Sequence, residues 1–96
     1  MTSLPDTVSP YRTIGPFTED TLPVGLLKEH STKAGVWGLL EVAEGQIRYI
    51  VTEEGHEASH LLTKGRPGVI VPQQNHHLEL VGPVRFQITF HKGAKA

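Results

Sequence analysis

The chain has 96 residues and no cysteine, with nine basic and ten acidic residues for a formal net charge of −1. This length suits a single domain, and the lack of cysteine excludes disulfides and thiolate metal sites. Balanced charge argues against nucleic-acid and membrane-surface partners, and no signal peptide or apolar run of about 18 residues is present, so we expect a soluble cytoplasmic protein.

Short apolar runs are separated by ten glycines and seven prolines, a spacing typical of β-sandwiches and barrels. Residues 1–22 contain three prolines and are predicted to run extended over the surface, with Tyr11, Ile14 and Phe17 as anchors. Residues 23–91 are predicted to form a barrel, and residues 92–96 a tail.

Within residues 23–91 the pattern predicts a strand at 26–29 and then a hairpin with arms at 36–42 and 46–52. The A-E-G turn of this hairpin offers Gly45 for a positive φ. Next we expect an exposed turn in E-E-G-H-E-A, a strand in S-H-L-L-T and a brief strand in V-I-V-P-Q. The last two predicted strands are H-H-L-E-L-V and V-R-F-Q-I-T-F-H, separated by a G-P turn. The whole pattern predicts about eight short strands and no helix.

The histidine pair in VPQQNHHLEL is split by strand alternation. His76 shares a face with Leu78 and Leu80, whereas His77 shares the other face with Glu79. An imidazole on an apolar face must have its nitrogens satisfied by hydrogen bonds or by a metal, so His76 is the stronger ligand candidate.

The other four histidines differ in their surroundings. His30 ends a predicted strand on a partly apolar face, and it could meet His76 inside a small barrel. His60 precedes two leucines and could point either way, so it is a weaker candidate. His56 lies in a polar turn and His91 in the outward row of the last strand, and both are expected to face solvent.

The combined pattern GLLKEHSTKAGVWG, the E-G turn and PQQNHHLEL resembles the cupins, and more narrowly the small cupin domain of the tellurite resistance protein B type. The resemblance covers Leu22 to Phe90. It implies a double-stranded β-barrel, or jelly roll, with a metal between two sheets, and it assigns His30 and His76 as ligands.

The chain departs from the cupin pattern at the first motif. The second histidine is missing, and the place of the usual glutamate falls near Gly38. Water, His77, Glu79, His60 or Glu41 would then complete the coordination. Imidazole ligands without thiolates suit zinc as the first choice, with nickel or iron as alternatives.

Three functions follow as hypotheses. The first is a metal-binding small cupin that binds a small molecule or an oxyanion, with a link to tellurite resistance. The second is a cupin-type metalloenzyme, such as an iron dioxygenase or an isomerase. The third is a structural or interaction module without metal. A homodimer formed through sheet edges is expected under all three.

Overall fold

The computed structural model describes residues 3–93, which form one antiparallel sheet of five strands and one short 3-10 helix. The strands are β1 (Val8–Thr18), β2 (Trp37–Glu53), β3 (His56–Thr63), β4 (Gly68–Ile70) and β5 (His76–Gly93), and the helix η1 (Val24–Leu27) follows β1. The order is β1-β5-β2-β3, with β4 also paired to β2. The predicted all-β class is confirmed. The predicted jelly-roll barrel is not confirmed, because the sheet formed by residues 3–93 does not close.

Two long strands replace four of the short strands that the sequence predicts. β2 and β5 pair from Trp37↔His91 to Val51↔His76, with register shifts only near Val42 and Gly45. The predicted hairpin turn at A-E-G is therefore wrong: the chain passes through Gly45 as a kink within β2. Gly45 does have the expected positive φ, 77°, and bulges of this kind bend a strand without ending it.

The turn between β2 and β3 lies where the sequence predicts an exposed turn, in E-E-G-H-E-A, but it is shorter than predicted because β3 already begins at His56. Glu53 pairs with His56, so the connection consists of Glu54 and Gly55 alone. Their φ angles are both positive, 43° and 80°. Two positive φ angles define the type I′ turn, whose twist matches that of the flanking strands.

The N-terminal segment is extended as predicted, but it belongs to the sheet. β1 pairs with β5 from Val8↔Gly93 to Thr18↔Arg85, and it forms one edge of the sheet. Ile14 and Phe17 pack against the core, whereas Tyr11 is exposed. This segment therefore covers part of the core and extends the sheet.

The predicted strand at 26–29 is wrong, because the chain forms η1 at this point. The carbonyl of Pro23 accepts a hydrogen bond from the N–H of Leu26, and Gly25 accepts one from Lys28. These bonds close a helical turn that brings Leu26 and Leu27 against the core. Two adjacent leucines can reach one apolar surface from a helical turn, whereas a strand would point them to opposite faces.

The core is one cluster that draws on both halves of β2 and β5. Leu40, Ile47, Leu62 and Phe86 are its most deeply buried aliphatic and aromatic side chains. Each contributes about 1.5–3 kcal/mol by leaving water. Since residues from both halves of each long strand meet in this cluster, the bends near Gly45 wrap the sheet around a single core. No helix within residues 3–93 has the length and apolar character to cross a membrane.

Candidate functional site

His30 and His76 are brought together by the main chain, although 46 positions separate them in the sequence. The N–H of His30 donates to the carbonyl of His76 (2.9 Å), and the N–H of His76 donates to the carbonyl of His30 (2.8 Å). Directly opposite residues in an antiparallel pair place their side chains on the same face. The two imidazole rings accordingly meet edge to face, with centroids 4.3 Å apart.

Both rings are held in the same tautomer by a hydrogen bond to the backbone two residues earlier. Nδ1 of His30 donates to the carbonyl of Lys28 (2.7 Å), and Nδ1 of His76 donates to the carbonyl of Gln74 (2.9 Å). A neutral imidazole with a proton on Nδ1 has its lone pair on Nε2. The pair therefore offers two Nε2 lone pairs, and metal-binding histidines are oriented by bonds of this kind.

The protonation state of His76 also suits a ligand. Its side chain is 2% exposed, and burial lowers its pKa against the opposing effect of the Gln74 hydrogen bond, with a further contribution from the His30 charge. A lowered pKa keeps the ring neutral at physiological pH. Only the neutral ring has a lone pair to share with a metal or a proton donor.

A tyrosine and a third histidine share this face of the sheet. Tyr49 pairs with His60 on β3 and with Leu78 on β5, while the neighbouring Val51 pairs with His76. The Tyr49 ring lies 5.5 Å from that of His76 and 6.3 Å from that of His60. His60, which the sequence left as a weaker candidate, thus faces the same side as His76, on the far side of Tyr49.

Tyr49 is the residue that the sequence argument did not select for function. Its side chain is 3% exposed, and its hydroxyl has no hydrogen-bond partner within residues 3–93. The sequence feature that could have pointed to Tyr49 is its place in the inward-facing row of Ile47, Tyr49 and Val51. A hydroxyl on a buried face needs a partner.

The other weaker candidates lie elsewhere. His77 pairs with Ile50, on the face opposite to His76, and Glu79 on that same opposite face forms an ion pair with Arg48 (3.6 Å). Glu41 is exposed. None of these three is brought to the histidine pair, because strand alternation points them away from it.

The place of the missing glutamate is filled by the core. Gly38 pairs with Ile70 of β4, and a Cβ added at Gly38 would lie 2.9 Å from Cδ1 of Ile70. A longer side chain would have to displace this isoleucine. Across residues 3–93 no group of three or more histidine, aspartate or glutamate side chains is arranged to hold a metal ion, so the protein offers two imidazole donors.

The prediction that His91 faces solvent is wrong. Its side chain is 8% exposed, and its Nδ1 donates to the carbonyl of Thr89 (3.0 Å). His91 lies between Pro10 of β1 and Trp37 of β2, its register partners in the sheet, so a neighbouring strand flanks it on each side. His56 is exposed, as expected.

Residues 12–88 match the family model of the TehB-like domain. The chain belongs to this family. Proteins of Haemophilus influenzae strains 10810 and ATCC 51907, both named "Probable S-adenosyl-L-methionine-dependent methyltransferase TehB", are 36% and 35% identical to it over 72 residues. The match covers 72% of this chain and 25% of each relative. The chain therefore spans about a quarter of the length of the curated relatives it matches.

Solved structures of similar fold agree with this assignment. A crystal structure of an Escherichia coli K12 protein has a TM-score of 0.88 at 24% identity, covering 99% of this chain and 100% of that chain. TehB from H. influenzae has a TM-score of 0.83 at 27% identity, covering 92% and 32%. Hydroxypropylphosphonic acid epoxidase from S. wedmorenis is more distant, with a TM-score of 0.53 at 22% identity, covering 65% and 34%.

Proposed function

We propose that this TehB-like domain is a binding module in which His30 and His76 provide two ligands to a divalent metal. Zinc is the first choice, with nickel or iron as alternatives. The observation that carries the proposal is the facing pair of imidazoles, each with Nδ1 bonded to a main-chain carbonyl and Nε2 without a protein partner in residues 3–93.

The donor set fits a metal with open coordination positions. Two fixed imidazoles are fewer than the three or four protein ligands of usual zinc sites. When bound, the metal would supply positions for an oxygen-bearing small molecule or an oxyanion. The chain itself holds the two rings in place through the paired backbone bonds of His30 and His76, and burial keeps His76 neutral.

The names of the relatives bear on the wider role. The Haemophilus proteins are named as probable methyltransferases, but this chain matches only 25% of each. Its sequence has no G-x-G-x-x-G after a strand. We therefore assign binding, and not methyl transfer, to these 96 residues. We propose that the bound species is an oxyanion such as tellurite, or a small molecule that a methyltransferase uses.

An enzyme with a 2-His-1-carboxylate iron centre is a weaker fit. Such a centre needs a carboxylate on the same side as the two histidines. Glu79 is paired with Arg48 on the opposite face, and Glu41 is exposed. The geometry favours reversible binding over oxygen chemistry.

Metal analysis of purified protein tests the proposal. Protein dialysed against zinc, nickel or iron(II) should bind about one metal ion per chain, and His30→Ala and His76→Ala should each lose it. His91→Ala is the matched control, because His91 is also buried and has the same Nδ1 bond to a carbonyl. Metal-free wild-type protein, or equal loss in all three variants, would rule out the proposed site.

A further inference from the structure

Residues 72–75 form the loop that leads from β4 to the histidine pair. Pro72 and Gln73 lie at the centre of a turn, which the N–H of Gln74 closes by donating to the carbonyl of Val71 (3.4 Å). Gln73 has a φ of 61°, a left-handed conformation that glycine usually adopts at this position of a turn. A glutamine keeps such a conformation only where the surrounding structure fixes it. The contacts of the loop therefore decide how it is held.

The main chain of this loop is anchored on both sides of Gln74. The N–H of Gln73 donates to the carbonyl of Thr32 (3.0 Å), and the carbonyl of Asn75 accepts a bond from the N–H of Thr52 (2.9 Å). A peptide unit between two such anchors can still rotate, because φ and ψ are the soft torsions of the backbone. Neither bond involves Gln74, so its carbonyl needs a further restraint.

The side chain of Gln74 supplies that restraint. Its Nε2 donates to Oε1 of Glu53 (2.7 Å), and a bond to a carboxylate is stronger than one between neutral groups. Glu53 is the last residue of β2 and pairs with His56 across the two-residue turn, so the acceptor belongs to the sheet. The bond holds Gln74 at the point from which its carbonyl accepts Nδ1 of His76 (2.9 Å).

The acceptor for His30 is held by a different part of the chain. Nδ1 of His30 donates to the carbonyl of Lys28, and Lys28 is fixed by the bond from its own N–H to the carbonyl of Gly25 (3.3 Å) at the end of η1. The two rings therefore depend on separate anchors. A change at Glu53 should affect one ring and spare the other.

We propose that Glu53 and Gln74 are positioning residues for His76. Their side-chain hydrogen bond aims the Gln74 carbonyl at Nδ1 of His76 and so keeps the lone pair of this ring on Nε2. Loss of an outer-shell partner typically weakens metal binding by about 10–100-fold. The expected effect on metal affinity rests on the proposed function, whereas the tautomer of His76 can be measured without a metal.

The tautomers are measured in the metal-free 96-residue chain by long-range ¹H–¹⁵N NMR at about pH 8, where an imidazole is neutral. Wild type should have the proton on Nδ1 in both His30 and His76. Glu53→Leu should convert part of the His76 population to the Nε2–H tautomer and leave His30 unchanged. Glu57→Leu is the matched control, because Glu57 is an exposed carboxylate on the neighbouring strand β3, and it should change neither ring.

Exchange of the two side chains separates positioning from a general loss of stability. Gln74→Glu places two carboxylates side by side and should shift the His76 tautomer as Glu53→Leu does. The double variant Glu53→Gln/Gln74→Glu again has one donor and one acceptor, in reversed order, and should restore the Nδ1–H tautomer. Glu53→Gln alone retains an acceptor oxygen and should keep it, which tests the proposal even if Glu53→Leu does not fold.

Zinc titration of the same variants by calorimetry is the second measurement. Glu53→Leu should bind zinc about tenfold more weakly than wild type, and the double variant should regain the wild-type affinity. Wild type that binds no zinc would contradict the proposed function and leave the tautomer comparison to decide this one. An unchanged His76 tautomer in both Glu53→Leu and Gln74→Glu, an equal shift in Glu57→Leu, or no rescue in the double variant would overturn the positioning role.

Discussion

Replacing Gly45 with alanine tests the continuity of β2 most directly. Gly45 has a φ of 77°, and a Cβ at this position would overlap the carbonyl oxygen of Pro83 and lie 2.9 Å from its carbonyl carbon. Both atoms belong to the main chain of β5, so no side-chain rotation can relieve the overlap. Gly45→Ala must therefore push β2 and β5 apart where they exchange hydrogen bonds.

The magnitude follows from two separable terms. An alanine in the left-handed region costs about 1–2 kcal/mol, and overpacking against a fixed neighbour adds about 1–3 kcal/mol. Gly55 isolates the first term, because its φ is 80° and nothing lies within 4 Å of an added Cβ. Gly45→Ala should thus lower the free energy of unfolding by about 1–3 kcal/mol more than Gly55→Ala does.

Urea unfolding followed by the fluorescence of Trp37, the sole tryptophan, measures this difference. The comparison separates the observed kink from the hairpin that the sequence predicts. At the tip of an open A-E-G turn, Gly45 would carry only the cost of its φ. Equal losses of stability in the two variants would refute the close approach of Gly45 to Pro83.

Three further outcomes are expected. Tyr49→Phe should stabilise the ligand-free domain by about 1–3 kcal/mol in thermal melts, because it removes an unpaired buried hydroxyl; a loss of stability would show that the hydroxyl has a partner. The Glu19 carboxylate accepts the N–H of Val84 (3.0 Å), which lowers its pKa below the ordinary 4.5. The contribution of Glu19 to the free energy of unfolding is therefore complete above pH 4.5 and is lost as the pH falls through the lowered pKa of the folded state. Glu19→Gln should reduce the loss of stability at acid pH more than Glu41→Gln does. Light scattering should show a homodimer, and a monomer at all concentrations would contradict sheet-edge pairing.

The sequence predicts the strands well where one local rule decides. Ile47, Tyr49 and Val51 alternate with polar residues, and this face is indeed the inner one. The turn at Glu54 and Gly55 is local as well, since a two-residue loop with a glycine specifies its own geometry. Strand identity and inner face were therefore predictable from neighbours in the chain.

Strand ends were less predictable, because they depend on contacts with distant residues. The sequence pattern predicts that Gly45 lies in a turn. In the fold it lies at a kink within β2, and the geometry of this kink depends on the main chain of Pro83, 38 positions away. By alternation His91 belongs to the outward row, yet its side chain is only 8% exposed in the fold, where it lies between β1 and β2. Both errors have the same cause: alternation describes one strand, whereas burial and bending are set by its partners.

The pairing of His30 with His76 joins both kinds of information. Alternation selected His76 over His77 and placed His30 on a partly apolar face, and the family resemblance assigned both as ligands, but the two backbone bonds that place them face to face were visible only in the fold. The same fold explains why a third ligand is missing. Ile70 occupies the space beside Gly38, so a carboxylate there would displace part of the core that closes over β2 and β4. The core and a complete metal site compete for that position, and in this chain the core has it. In the metal site that we propose, two imidazoles would leave the remaining coordination positions to a ligand, which is why we propose a binding module and not a self-contained catalytic centre.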